Sequence, residues 1–170
     1  GGVLKFNQIG VSSAQCNNLT MRCVCTVTCL PGKYQNENEQ TSCKDCPMGH
    51  FQSQSSKVGC SSCSTGYYQD LIGQVSQSSC KPCSSGKYYG GTGAISSMSC
   101  VSCSSGRYQD QNGQASCKLC AAGTFQNVAG ESSCQPCSSG KYYGGTGASS
   151  SMSCVSCPTG KYYGGTGAIS

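Results

Sequence analysis

Three marks recur along this chain at fixed distances, and they constrain its fold more than any other feature. Seven Cys-x2-Cys dyads follow one another: Cys43/Cys46, Cys60/Cys63, Cys80/Cys83, Cys100/Cys103, Cys117/Cys120, Cys134/Cys137 and Cys154/Cys157. A looser Cys25-x3-Cys29 stands ahead of them. Counted from the second Cys of each dyad, the third residue on is always glycine: Gly32, Gly49, Gly66, Gly86, Gly106, Gly123, Gly140 and Gly160. The fifth is always aromatic: Tyr34, Phe51, Tyr68, Tyr88, Tyr108, Phe125, Tyr142 and Tyr162. A glycine held at that distance predicts a positive φ in a tight turn. The ring two residues later is expected to cover the neighbouring disulfide and much of each repeat's small apolar patch. Ser, Gly, Gln and Asn dominate the remainder and favour short extended segments and turns; no helical periodicity is present.

Composition shows why such repeats need cross-links. Leu, Ile, Val and Phe together number 21 of 170 residues, about 12%, well below what a packed hydrophobic core requires. Cysteine supplies 18 residues, only 10% are charged, and Trp is absent. A typical soluble enzyme is therefore unexpected, and so is a self-repelling charged disordered segment. No run of 18 apolar residues exists to form a transmembrane helix. The net charge of +5 is spread thinly without a basic block, which argues against nucleic acid as a partner.

Loop lengths add a second layer of order. From Cys29 onward, the residues enclosed between an opening Cys and the next Cys number 13, 13, 16, 16, 13, 13 and 16. With the dyads included, the short-short-long-long pattern gives a super-repeat of 74 residues. Residues 84–103 and 138–157 differ only at Ile95 versus Ser149, which suggests recent duplication within the older frame. The expected domains are residues 1–24, a capping or upstream-edge segment, and 25–170, eight tandem repeats with the last one truncated. Val3, Leu4, Phe6, Ile9 and Val11 give the first segment an apolar cluster, and Cys23–Cys29 alternates like a strand. The start at Gly1-Gly2-Val3 and the break within a repeat lead us to expect a window on a longer protein.

Disulfides, zinc and redox chemistry are the three uses open to the cysteines. A bridge closing a loop of about 15 residues contributes about 3 kcal/mol in the chain-entropy model, so several offset a missing core. Cys-x2-Cys pairs at this separation also resemble zinc-ribbon spacing, but the dyads do not partition into sets of four and His50 is the sole histidine. Thioredoxin-like chemistry needs a βαβ context that the sequence lacks. Disulfides are the expectation, which implies an oxidising compartment. No metal and no cofactor are expected.

Cys46-Pro47-Met48-Gly49-His50-Phe51 followed by Cys60-Ser61-Ser62-Cys63 resembles the ephrin-receptor-like cysteine-rich repeat, as does Cys157-Pro158-Thr159-Gly160-Lys161-Tyr162. That repeat is similar to the first loop of tumour necrosis factor receptor cysteine-rich modules. The likeness covers residues 25–170, although Ser or Ala replaces the Pro in five repeats and Leu30-Pro31 shifts it in another. It implies a small disulfide-rich fold: an elongated tandem array of short β-hairpin or loop units, with little or no helix, at the cell surface or secreted. By the receptor-loop analogy it also implies sequential closure: Cys29–Cys43, Cys46–Cys60, Cys63–Cys80, Cys83–Cys100, Cys103–Cys117, Cys120–Cys134 and Cys137–Cys154. Interlaced dyads, with Cys60–Cys80 beside Cys63–Cys83, are the alternative.

The surface offers few chemical groups. Lys33, His50, Tyr67, Lys87, Arg107, Thr124, Lys141 and Lys161 each follow the invariant glycine, a row that suits either acidic glycans or plain solvation over the rings. Tyr89, Tyr143 and Tyr163 open Tyr-Gly-Gly-Thr-Gly loops and are candidate contacts for a neighbouring chain; the P-loop lysine and following helix are missing. Asn18 heads the single N-glycosylation sequon. Glu37, Glu39, Asp45, Asp70, Asp110 and Glu131 are scattered over different repeats, and no catalytic set assembles around His50. An extracellular rod, spacer or filament subunit is therefore the expected role. Repeats advancing about 10–13 Å each would span on the order of 100 Å. Partners would be further copies, other extracellular structural proteins or glycans. A ligand-binding receptor ectodomain is the alternative.

Overall fold

The computed structural model describes residues 27–37, 40, 42–161 and 166. The segment 1–24, with Asn18, and also Cys25, Tyr162 and Tyr163, lies outside the described residues. The chain forms two compact units. One runs to Cys63 and adds Gln69–Lys81 and Gly93–Ser96; the other holds Ser64–Tyr68, Pro82–Thr92 and the residues from Ser97 onward.

Seven two-stranded sheets recur along the described residues, with no sheet larger than a pair. Lys33–Tyr34 pairs with Lys44–Asp45, His50–Phe51 with Ser61–Ser62, and Lys87–Tyr88 with Val101–Ser102. Arg107–Tyr108 pairs with Lys118–Leu119, Thr124–Phe125 with Gln135–Pro136, and Lys141–Tyr142 with Val155–Ser156. Tyr67–Tyr68 and Lys81–Pro82 complete the set. The outgoing strand is the post-glycine residue and its aromatic neighbour. The return strand is the two-residue spacer of the next dyad, which explains why that spacer has two residues throughout. Side chains alternate across an extended strand, so cysteines three apart face opposite ways. The first then bridges back into its own loop and the second forward into the next.

Bridges join Cys29–Cys43, Cys46–Cys60, Cys63–Cys80, Cys83–Cys100, Cys103–Cys117, Cys120–Cys134 and Cys137–Cys154. Cys157 is unbridged and half-buried. Bridged positions lie either 14 or 17 residues apart. The three extra residues of the longer loops form a single 3-10 turn before the closing Cys, at Gln77–Ser79, Ser97–Ser99 and Ser151–Ser153. Ser76 and Ser150 cap two of these turns by accepting from the backbone N–H of Ser78 and Met152.

The invariant glycines adopt positive φ as expected, between 75° and 83° from Gly32 to Gly160. Each turn carries a bond from the residue after the glycine back to the residue after the cysteine, such as Lys33 N–H to Leu30 C=O at 3.1 Å and Arg107 N–H to Ser104 C=O at 3.0 Å. The recurring rings lie at the boundary between interior and solvent. Among the described aromatics of that position, Phe125 is buried and the others are half-buried covers. The deepest side chains are the opening cysteines, 0–1% exposed, together with Gln69, Gln109 and Gln126 at 1–2%.

Candidate interaction surface

Within each unit, one repeat is tied to the next two. In the first unit, Gly49 donates its N–H to the Gln69 carbonyl at 2.8 Å, and Gln69 donates to Ala94 at 2.9 Å. In the second, Gly86 donates to Gln109 at 2.7 Å and Gln109 to Glu131 at 3.3 Å. A second glycine, ten residues after the opening Cys, closes the set. Gly73, Gly93, Gly113, Gly130 and Gly147 all have positive φ, from 68° to 83°. Each donates its N–H to the opening Cys of the preceding repeat, at 2.8 Å in every case. A Cβ on Gly32, Gly49, Gly66, Gly86 or Gly106 would overlap the carbonyl oxygen of such a glycine two repeats along. Only glycine fits that approach.

Sequence reasoning missed this second glycine, although the signal is present. Counted from the closing Cys its position shifts with loop length. Counted from the opening Cys it is constant from the third repeat onward, while Glu39 and Ser56 stand there in the first two, Ser56 with φ of 58°. Missed as well were the buried glutamines six residues after the opening Cys. Gln109 Nε2 donates to the Ser116 carbonyl at 2.7 Å while its Oε1 accepts from the Gln111 N–H at 3.1 Å. Gln126 does the same with Ser133 and Val128, and Gln52 with Gly59 and Gln54. The side chain thus acts as a cross-brace to the backbone just before the closing Cys. Tyr89 and Tyr143 occupy this position in the duplicated loops. Their hydroxyls lie back over Gly91 and Gly145 of their own loops. Tyr143 also packs on the cluster of Phe125, Cys137, Ala148 and Cys154.

The outer face is set by hairpin register. The post-glycine position carries Lys33, His50, Tyr67, Lys87, Arg107, Thr124 and Lys141, half-buried or exposed, each at the start of an outgoing strand. Lys33 reaches across its hairpin to Asp45 at 2.6 Å. A second recurring site joins the residue after the closing Cys to an acid near the far end of the outgoing strand. Lys44 meets Glu37 at 2.6 Å, Lys81 meets Asp70 at 2.8 Å and Lys118 meets Asp110 at 2.6 Å. The lysine hydrogen bonds hold the carboxyls of Asp70 and Asp110 below the usual carboxylate range. The bond to Glu37 raises Lys44, and that to Asp110 raises Lys118, above the ordinary lysine value. Lys118 also stands 5.9 Å over the Tyr108 ring, its neighbour across the hairpin. Lys57, Lys87, Arg107 and Lys141 have no carboxylate partner among the described residues.

This is the geometry of a repeated disulfide-rich module: a bridge, a positive-φ glycine and a short hairpin, recurring at fixed spacing. Comparison with curated proteins finds no match. Residues 49–100, 90–124 and 111–154 each match the family described as tyrosine-protein kinase ephrin type A/B receptor-like. With residues 49–154 covered by that pattern, the chain belongs to the ephrin-receptor-like family of cysteine-rich repeats.

Proposed function

We propose that this extracellular disulfide-rich module serves as a structural rod, spacer or filament subunit rather than as a tailored ligand-binding ectodomain. The supporting observation is that contacts between repeats run through backbone groups and glycines. Such contacts are indifferent to the side chains carried outside, so the array extends without redesign. The equivalent outer position accordingly varies among Lys, His, Tyr, Arg and Thr from one repeat to the next. A receptor site for one ligand would instead concentrate distinctive side chains at one place. No catalytic role is assigned to any residue. Further copies of the chain and other extracellular structural proteins are the partners this reading favours.

Electron microscopy of the native full-length material tests it. Stalks or filaments of regular width, lost on reduction, are expected. Compact monomers that bind one soluble protein ligand at a fixed stoichiometry would overturn the structural reading.

A further inference from the structure

A groove of about 310 Å³ lies within the second unit, lined by Tyr88, Val101, Ser102, Ser104, Arg107 and Ser116. It falls between two successive hairpins, Lys87–Tyr88 with Val101–Ser102 and Arg107–Tyr108 with Lys118–Leu119. Its chemistry is mixed in a particular way. Arg107 is exposed and has no carboxylate partner among the described residues. Its counterpart Lys33 is neutralised by Asp45 instead. The hydroxyls of Ser102, Ser104 and Ser116 are exposed and make no hydrogen bond among the described residues. Tyr88 is half-buried and adds an aromatic surface.

We propose that this groove is a binding subsite for an acidic polysaccharide. The guanidinium of Arg107 presents paired N–H donors that match a carboxylate or sulfate group in two-point fashion. The three serines offer donors and acceptors to sugar hydroxyls, and Tyr88 offers a surface to the apolar face of a pyranose ring. Two further observations point to a polymer. Lys87 begins the outgoing strand of the same hairpin and also lacks a carboxylate partner among the described residues. The stretch 84–103 that precedes Arg107 is repeated nearly unchanged as 138–157, and Lys161 stands where Arg107 stands. A charged polymer therefore meets Tyr142, Ser156 and the cation Lys161 in the corresponding places 54 residues further on, with Pro158 in that of Ser104, and weak sites in series gain by effective concentration. An acidic peptide satisfies the arginine but brings no pyranose face to lay on Tyr88.

The test uses the full chain with a size-defined heparin oligosaccharide as probe and poly-L-glutamate as the charge control. Binding of heparin is expected to weaken steadily with salt. Its signature is amide shifts at Ser102, Ser104 and Ser116. Arg107→Gln is expected to weaken heparin binding roughly tenfold. Lys57→Gln removes another exposed unpaired cation and should change affinity less than about twofold. Far-ultraviolet spectra and the non-reducing peptide map verify that both variants keep the fold. Equal losses in the two variants would overturn the subsite, leaving diffuse charge attraction. So would equal binding of poly-L-glutamate, shifts confined to other residues, or no binding at low salt.

Discussion

Gln69, Gln109 and Gln126 lie 1–2% exposed because each brings an amide with both a donor and an acceptor into its loop. The donor closes on the carbonyl before the bridge and the acceptor takes the N–H two residues on, so no buried side-chain polar atom among the described residues is left unpaired. Gln126→Ala removes both bonds and opens a cavity, a loss of about 2–4 kcal/mol. It should appear as faster exchange of the Val128 amide and a lower melting temperature. Gln126→Glu is expected to be at least as harmful at neutral pH, since a carboxylate cannot donate to the Ser133 carbonyl. It should recover in acid, where a protonated carboxyl regains a donor; a pH-independent deficit would show that the bond to Ser133 is not what holds this loop. The glutamines were not readable as core because an amide set between the recurring ring and a following polar residue looks solvated in sequence. The cysteines and the first glycine were readable because covalent closure and a positive φ each restrict residue choice to one type. The aromatic spacing was readable too, but the rings' half-buried state was not, since burial depends on which neighbours arrive.

Each hairpin has only two residues per strand, too short to hold itself, so its stability comes from the bridge and from the glycine contacts. Gly106→Ala and Gly140→Ala separate two costs. Both positions have nearly the same φ, 78° and 75°, but only at Gly106 does a Cβ meet the Gly147 backbone; at Gly140 nothing among the described residues lies within 4 Å. The alanine at 140 should cost about 1–2 kcal/mol for the left-handed backbone alone. The alanine at 106 should cost clearly more and should expose the Gly147 amide to exchange. Equal costs would mean that the close approach of the two glycines contributes nothing. The cross-hairpin ion pairs behave as exposed pairs do and serve register more than stability. Asp70 and Asp110 have carboxyls lowered on folding, so their contribution is present at neutral pH and is lost as pH falls through those lowered values. Lys44 and Lys118 are raised, so theirs is present up to the ordinary lysine value and is lost as pH rises through the raised ones. Corrected for its intrinsic pH dependence, amide exchange in Lys118–Leu119 should therefore be flat across neutral pH and rise in acid, and Asp110→Asn should abolish the acid rise. A rise that survives Asp110→Asn would assign the acid effect to another group.

In many repeat arrays a unit touches only its immediate neighbours, and stability is then a sum of local terms. Here, within each unit, the turn of one repeat is backed by the loop two repeats on, so removing one bridge should be felt beyond its own loop. The loop closed by Cys103–Cys117 shows how far. Its Cys103 carbonyl accepts from Gly130 in the next repeat, and its Gly106 faces Gly147 in the one after. Replacing both cysteines by serine should cost about 3 kcal/mol through the freed loop. Added to that is a spread of amide exposure to Gly130 and Gly147. Exposure confined to residues 103–117 would mean that the repeats fold as independent beads. The spread depends on sequential bridges, because each dyad must close one loop with its first cysteine and open the next with its second. Proteolysis without reduction should accordingly release peptide pairs joined through Cys46–Cys60, Cys63–Cys80 and Cys83–Cys100. A peptide linking Cys60 to Cys80 would reverse that order. It would place two bridges between the same two dyads and leave the loops uncapped, which the two-residue return strands could not survive.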